Sequence, residues 1–247
     1  MTSTVLKKAY ERWHNGRVPP RERGAQTEEF ELGALLGIPS EAVDDYATLA
    51  GRIEGLMARE VRRALVVGST GSGAGVSTVA VGLAATLAVT TGLSTLLVDA
   101  NLRDPVLHRK FRVARDPGLT EVVREGMALS QALHQTAVPN LSLLTGGAQV
   151  KSPQSFFQLP VFRELLDVWA RDYGYIILDS APFGMASDAT VLAQAASGAL
   201  LVVESARTVR EVAAETTHEL QRSGVRVLGA VLNRRRYYVP DWIYRRA

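Results

Sequence analysis

Residues 64–80, ALVVGSTGSGAGVSTVA, constrain this chain more than any other stretch. Positions 64–68 are a short apolar, β-branched run, the pattern of a strand buried on both faces of a parallel sheet. Gly71-Ser72-Gly73-Ala74-Gly75 follows as a glycine-rich turn. Ser77 and Thr78 then open an alanine-rich helix predicted over about 78–89. Strand, glycine turn and helix N-terminus in that order hold phosphate. Backbone N–H groups converge on the anion, the helix dipole favours it, and glycine lets the backbone come close. The P-loop pattern asks for Gly, four residues, Gly, Lys and then Ser or Thr. Here Gly75-Val76-Ser77-Thr78 stands where Gly-Lys-Ser-Thr belongs, and Thr70 takes the first glycine position. The loop's architecture is present and its cation is missing.

A chain of 247 residues holds one α/β domain with an extension, or two small domains. The formal net charge of +3 is too small to demand an acidic partner. There is no cysteine, which excludes disulfides and cysteine metal sites and suits a reducing cytoplasm. No apolar run is long enough to span a bilayer, and the helix after the loop is broken by Gly82 and reads as a core element. Met1 opens a polar stretch rather than a signal peptide.

Residues 1–44 are polar and irregular, with the linker-like run VPPRERG at 18–24, and are expected to be a flexible extension. Residues 45–62 place Tyr46, Leu49, Ile53, Leu56 and Met57 at helical spacing. Further buried strands are predicted at 95–99, 141–144, 175–179, 199–203 and 227–232. Short helices are expected over 106–135, and one amphipathic helix over 156–173 with Phe162, Leu165, Leu166 and Trp169 inward. Another is predicted over 187–196, and a last one, opened by a capping box of Thr208 and Glu211, runs to about 223. This alternation predicts an α/β fold: a mostly parallel sheet with helices on both faces. Ligands of such sheets sit at the carboxyl ends of the strands. The loop 71–78, Asp99, Asp179 and Asn233 all fall there, so they converge on one edge.

Phosphoryl chemistry with Mg²⁺ needs a backbone cradle, a hydroxyl on the metal and carboxylates for metal or water. Gly71, Ser72, Gly73, Ala74 and Gly75 supply the first, Ser77 the second with help from Thr78, and Asp179 and Asp99 the third. Each part alone also has a plain structural explanation: a tight turn, a strand-end residue, a helix cap. Their joint placement, in the right chain order, is the specific signal.

With those residues in place, the chain resembles the bacterial tyrosine kinase family (BY-kinases), the CpsD/CapB-type and Wzc-type P-loop proteins related to MinD/ParA ATPases. The likeness covers roughly residues 45–240. LLVDANLRDPVLHRKF resembles the family's Walker A′ segment, and YIILDSAPFGMASDA its Walker B segment. The resemblance implies a P-loop NTPase-like domain over 45–236, with ATP or ADP and Mg²⁺ as ligands. Residues 71–78, Val76 included, and Asn233 would then line the nucleotide, Asn233 at the adenine. Ser77, Asp99 and Asp179 would serve the metal, the two aspartates being the catalytic pair. The residues 237–247 would form a tail whose Tyr237, Tyr238 and Tyr244 are phosphoacceptor candidates.

Three departures from the family pattern point the same way. Val76 replaces the Walker A lysine, and losing one such preorganised donor costs about 10²–10³ in rate. A full charge at a phosphate is worth up to about 4 kcal/mol at an effective dielectric of about 20. Asn101 replaces the second Walker A′ aspartate. Upstream, in the segment 44–50 that corresponds to the family's ring-assembly motif, Ala47 and Ala50 stand at both arginine positions. The expectation is a pseudokinase with reduced or absent catalysis. Lys110 and Lys151, the only lysines in the matched region, are not expected to replace the missing one, because phosphoryl transfer specifies position tightly. As partners the resemblance implies a membrane-embedded polysaccharide co-polymerase or chain-length regulator, and a BY-kinase or phosphatase of the same pathway. That would place the chain in the cytoplasm, at the inner face of the membrane. It favours a tyrosine tail over a nucleic-acid-binding one despite the basic, aromatic run after Asn233. Alternatives are an active tyrosine autokinase and a MinD/ParA-type ATPase. A dinucleotide-binding oxidoreductase ranks last, because the third glycine of its fingerprint is absent.

Overall fold

A computed structural model describes residues 42–205 and 208–234. The expected extension, nearly all of 1–44, and the tail 237–247 with Tyr237, Tyr238 and Tyr244 lie outside them. Helix α1 (Val43–Met57) leads into β1 (Ala64–Ser69), the loop, and α2 (Val76–Thr91). Then come β2 (Thr95–Asp99), α3 (Leu107–Phe111), α4 (Leu119–Glu125), α5 (Leu129–Ala132), β3 (Leu133–Gln135) and β4 (Leu141–Leu144). The rest is α6 (Pro153–Phe157), α7 (Pro160–Trp169), β5 (Tyr175–Asp179), α8 (Ser187–Ala195), β6 (Gly198–Glu204), α9 (Arg210–Arg222) and β7 (Val227–Asn233).

The strands form one seven-stranded sheet in the order β3-β4-β2-β5-β1-β6-β7. Every pairing is parallel except the β3–β4 edge, a short antiparallel addition absent from the sequence reading. Side chains alternate along each strand, and the core therefore divides into two layers. Ala64, Val66, Leu96, Val98, Ile176 and Leu178 face α4 to α9. Leu65, Val67, Leu97 and Ile177 face α1 and α2. Central strands β1, β2 and β5 are buried along their whole length, which is why they read as unbroken apolar runs.

Three expectations about helices change. Helix α2 is not broken at Gly82 but continuous. A Cβ at that position would run into the ring of Tyr46 from α1, so the glycine marks a close helix–helix approach, not a break. The predicted helix over 156–173 is two helices, because Pro160 starts α7 as its first residue while α6 ends at Phe157. Phe162, Leu165, Leu166 and Trp169 do point inward. The Thr208–Glu211 capping box does not form: Val209 precedes the helix without a side-chain cap, and the Thr208 hydroxyl instead accepts from the Glu204 N–H at 3.2 Å.

Candidate nucleotide site

The loop is built from β1 outward. At the strand's end Ser69 Oγ donates to the Gly71 carbonyl at 2.7 Å, which starts the turn. Gly73 and Gly75 both hold φ of +84°, a left-handed conformation that glycine adopts without strain. Nothing lies within 4 Å of where a Cβ would sit on Gly71 or Gly73, so that side of the loop is open. Helical bonding begins with the N–H groups of Thr78 and Val79, both donating to the Gly75 carbonyl at 3.1 and 3.0 Å. Among the described residues, no backbone N–H from 71 to 77 finds an acceptor. Unspent donors at the N-terminus of a long helix are what an anion requires.

Val76 is the first residue of α2 and packs, half-buried, against the apolar layer that contains α1 and α2. Its side chain thus has a structural role in the core.

Asn233 closes the loop from the far edge. Its Nδ2 donates to the Ala74 carbonyl at 2.8 Å, and its Oδ1 accepts from the Arg234 N–H at 2.9 Å. A Cβ on Gly75 would meet that Nδ2 at 2.5 Å, so glycine here serves the clamp as well as the turn. The residue expected at adenine braces the loop in this structure.

Beneath the loop lie two carboxylates. Asp99 and Asp179 end β2 and β5 and sit directly opposite each other in register. Both are fully buried. Oδ2 of Asp99 accepts from the Leu107 N–H at 2.8 Å, which fixes the start of α3. Its Oδ1, and both oxygens of Asp179, have no hydrogen-bond partner. Burial pushes both pKa values up, and for Asp179 the nearby Asp99 charge adds to it. The Ser77 hydroxyl and the Lys110 ammonium work against that rise at Asp179 without closing a hydrogen bond to it. Orphaned, fully buried carboxylate oxygens are costly unless a cation or proton joins them. No group of three or more His, Cys, Asp or Glu side chains gathers among the described residues. A pair of carboxylates with a hydroxyl fits Mg²⁺, which keeps waters and takes its remaining ligands from substrate phosphates. The residues present therefore fit a Mg²⁺-nucleotide.

The structure adds contacts that sequence reasoning missed. Lys110 of α3 reaches across to α2, with Nζ 3.4 Å from Thr78 Oγ1. Lys151 is exposed, just before α6. Arg103 donates through Nε to both oxygens of Asp188, at 3.0 and 3.2 Å, and Asp188 is buried. This ties the segment after β2 to α8, and the shared motif residues Arg103 and Asp188 were its available signal. Tyr46 Oη donates to the Thr78 carbonyl at 3.3 Å, bracing α2 from α1. Gly68 and Gly184 admit the chain that follows Asp179. A Cβ on Gly68 would touch the Phe183 ring at 2.5 Å, and one on Gly184 the Thr70 carbonyl at 2.7 Å. Asn101, in place of an aspartate, accepts from the Asp104 N–H at 3.4 Å as a turn residue. Ala47 is exposed, whereas Ala50 is 1 % exposed and sits in the core layer.

No family profile matches the chain. Tyrosine-protein kinase YwqD of Bacillus subtilis (strain 168) is 30% identical over 190 residues, covering 77% of this chain and 80% of the relative. The crystal structure of the VpsO kinase domain superposes with a TM-score of 0.71 at 27% identity, over 79% of this chain and 97% of that one. At the level of fold alone, the septum site-determining protein MinD of Pyrococcus horikoshii OT3, solved with Mg-ADP, gives 0.58 at 23% identity, covering 74% and 76%. The parallel sheet, the glycine loop with its free N–H groups and the paired strand-end aspartates agree with these likenesses: this chain belongs to the bacterial tyrosine-protein kinase family.

Proposed function

We propose that the chain binds a Mg²⁺-nucleoside di- or triphosphate at this edge and transfers phosphate slowly or not at all. In this reading it is a BY-kinase-family pseudokinase. Its role is regulatory, in capsular or exopolysaccharide synthesis and export, beside a membrane-embedded co-polymerase at the inner face of the membrane. The pathway is carried over from the family. Among the described residues no helix is long and apolar enough to cross a membrane.

One observation carries the binding half of the reading: Asp179 is fully buried at the loop's floor with both oxygens unpartnered. Asp179 with Ser77 would hold a bound Mg²⁺, which would supply positive charge to the carboxylate and to a phosphate. The chain's own residues do the rest. Free N–H groups of the loop orient the phosphates, and Ser77 places its hydroxyl between loop and carboxylate. Asp99 holds α3 through Leu107 and keeps one oxygen free to accept a proton. What weakens transfer is Val76, which packs into the core where the family pattern has an ammonium group. Calorimetry with ADP and ATP, with and without Mg²⁺, tests binding. Incubation with labelled ATP and Mg²⁺ tests transfer. Binding without phosphate on the C-terminal tyrosines is the expected result; phosphate appearing there at a rate typical of the family overturns it.

A further inference from the structure

We propose that Lys110 is the phosphate-facing cation of this site, doing from α3 what Val76 cannot do from the loop. The inference rests on the nucleotide-binding reading above and adds to it a residue from outside the loop. Lys110 Nζ stands 3.4 Å from Thr78 Oγ1, in the first turn of α2, beside Ser77 and the free N–H groups. Its charge reaches the buried Asp179 and favours the ionised form. It is therefore within electrostatic range of the floor and the roof of the site at once.

Four other cations around the site are committed. Arg103 is locked on Asp188, Arg109 leans towards Asp104 at 3.5 Å, and Arg115 donates to the Gly147 carbonyl at 2.8 Å. Arg234, on the far side of Gly75, pairs with Glu204 at 3.3 Å. Lys110 is exposed, and among the described residues it forms no ion pair. An unpaired ammonium at the mouth of an open anion cradle is free to turn its remaining donors to a phosphate oxygen. Its backbone is not loose either. The Asp99 carboxylate fixes the start of α3 through the Leu107 N–H, and the Lys110 N–H donates to the Val106 carbonyl at 3.2 Å. The site's own carboxylate thus sets where the lysine stem begins. The position differs from a loop lysine: this ammonium approaches from the side of Thr78, which suits holding the phosphate chain better than following the phosphoryl group in transfer.

The test is calorimetric titration of Mg-ADP into the full chain, its Lys110→Ala, Lys110→Arg and Arg234→Gln variants, and Lys151→Ala as a control. Lys110→Ala is expected to weaken binding at least tenfold and to flatten its salt dependence, while the melting temperature without nucleotide stays unchanged. Lys110→Arg should keep most of the affinity. In the Lys110→Ala background, adding Val76→Lys should restore it. Wild-type binding that Lys110→Ala leaves intact, or a loss confined to Arg234→Gln, overturns the proposal and leaves the binding reading standing. No heat from the wild-type chain overturns both.

Discussion

In the nucleotide-binding reading proposed above, the two halves of the site depart from the family pattern in different ways. The floor, Asp99 and Asp179, is intact: two carboxylates in register, fully buried, with three of their four oxygens unpartnered. The loop above keeps its shape, its glycines and its free N–H groups, but its cationic position is apolar and packed into the core. The carboxylates have been kept where the loop's cation is absent. In the proposed reading, burial holds protons on them in the empty site, and a metal ion would take the protons' place. The lesson is that loop geometry and loop charge are separable. Packing of α2 and β1 preserves the first, and only one side chain carries the second.

The largest effect should come from breaking the floor. Asp179→Ala is expected to weaken Mg-ADP binding by about 10²–10³-fold, from the loss of a full charge at metal distance. Affinity measured in EDTA should barely change. Equal losses with and without Mg²⁺ would place the carboxylate outside the metal site. Sharpening the loop comes next. Val76→Lys together with Asn101→Asp should raise Mg-ATP affinity by about tenfold, the usual scale of one added charge-assisted contact, with neither change alone restoring family-level transfer. Titration of both variants checks this.

A third test uses pH. The folded chain keeps protons on Asp99 and Asp179 up to about 6 and about 8, where an unfolded aspartate has long released them. Stability from this pair is thus fully present at low pH and is lost as pH rises through those values. Without Mg²⁺, the melting temperature should fall between pH 5 and pH 8.5, by about 2–4 °C for each kcal/mol lost. Asp179→Asn should flatten that slope. His108, whose proton affinity burial lowers, contributes the opposite slope near neutrality, but equally in both proteins. A slope unchanged by the substitution would remove the pair as its cause. The smallest effect is at the brace: Tyr46→Phe loses one hydrogen bond to Thr78, about 0.5–1.5 kcal/mol, read by urea unfolding.

Much of this was legible in the sequence, and the reason is local. Buried parallel strands announce themselves as short apolar runs, so five predicted strands beyond β1 appear where expected, and each places its last residue at the functional edge. Free N–H groups follow from glycine spacing. The parts that were not legible depend on distance in sequence. Lys110 is an exposed lysine on a five-residue helix, and nothing local says that Asp99 aims that helix at Thr78. Gly82 looks like a helix breaker until Tyr46 is seen against it. Asn233 has an ordinary strand-end context, and its grip on Ala74 reaches across β6 to a loop far away in sequence. The Thr208–Glu211 pair satisfied a pattern, yet the hydroxyl found a nearer backbone partner in Glu204.

That grip has a mechanical corollary. Asn233 is the final residue of β7, and Tyr237, Tyr238 and Tyr244 follow it in the sequence. A pull on the chain from beyond Arg234 meets the Arg234–Glu204 pair and then the amide that holds Ala74. By reciprocity, a ligand that favours one position of Ala74 would change how firmly Asn233 is held at the end of β7. The rope and the latch share one residue.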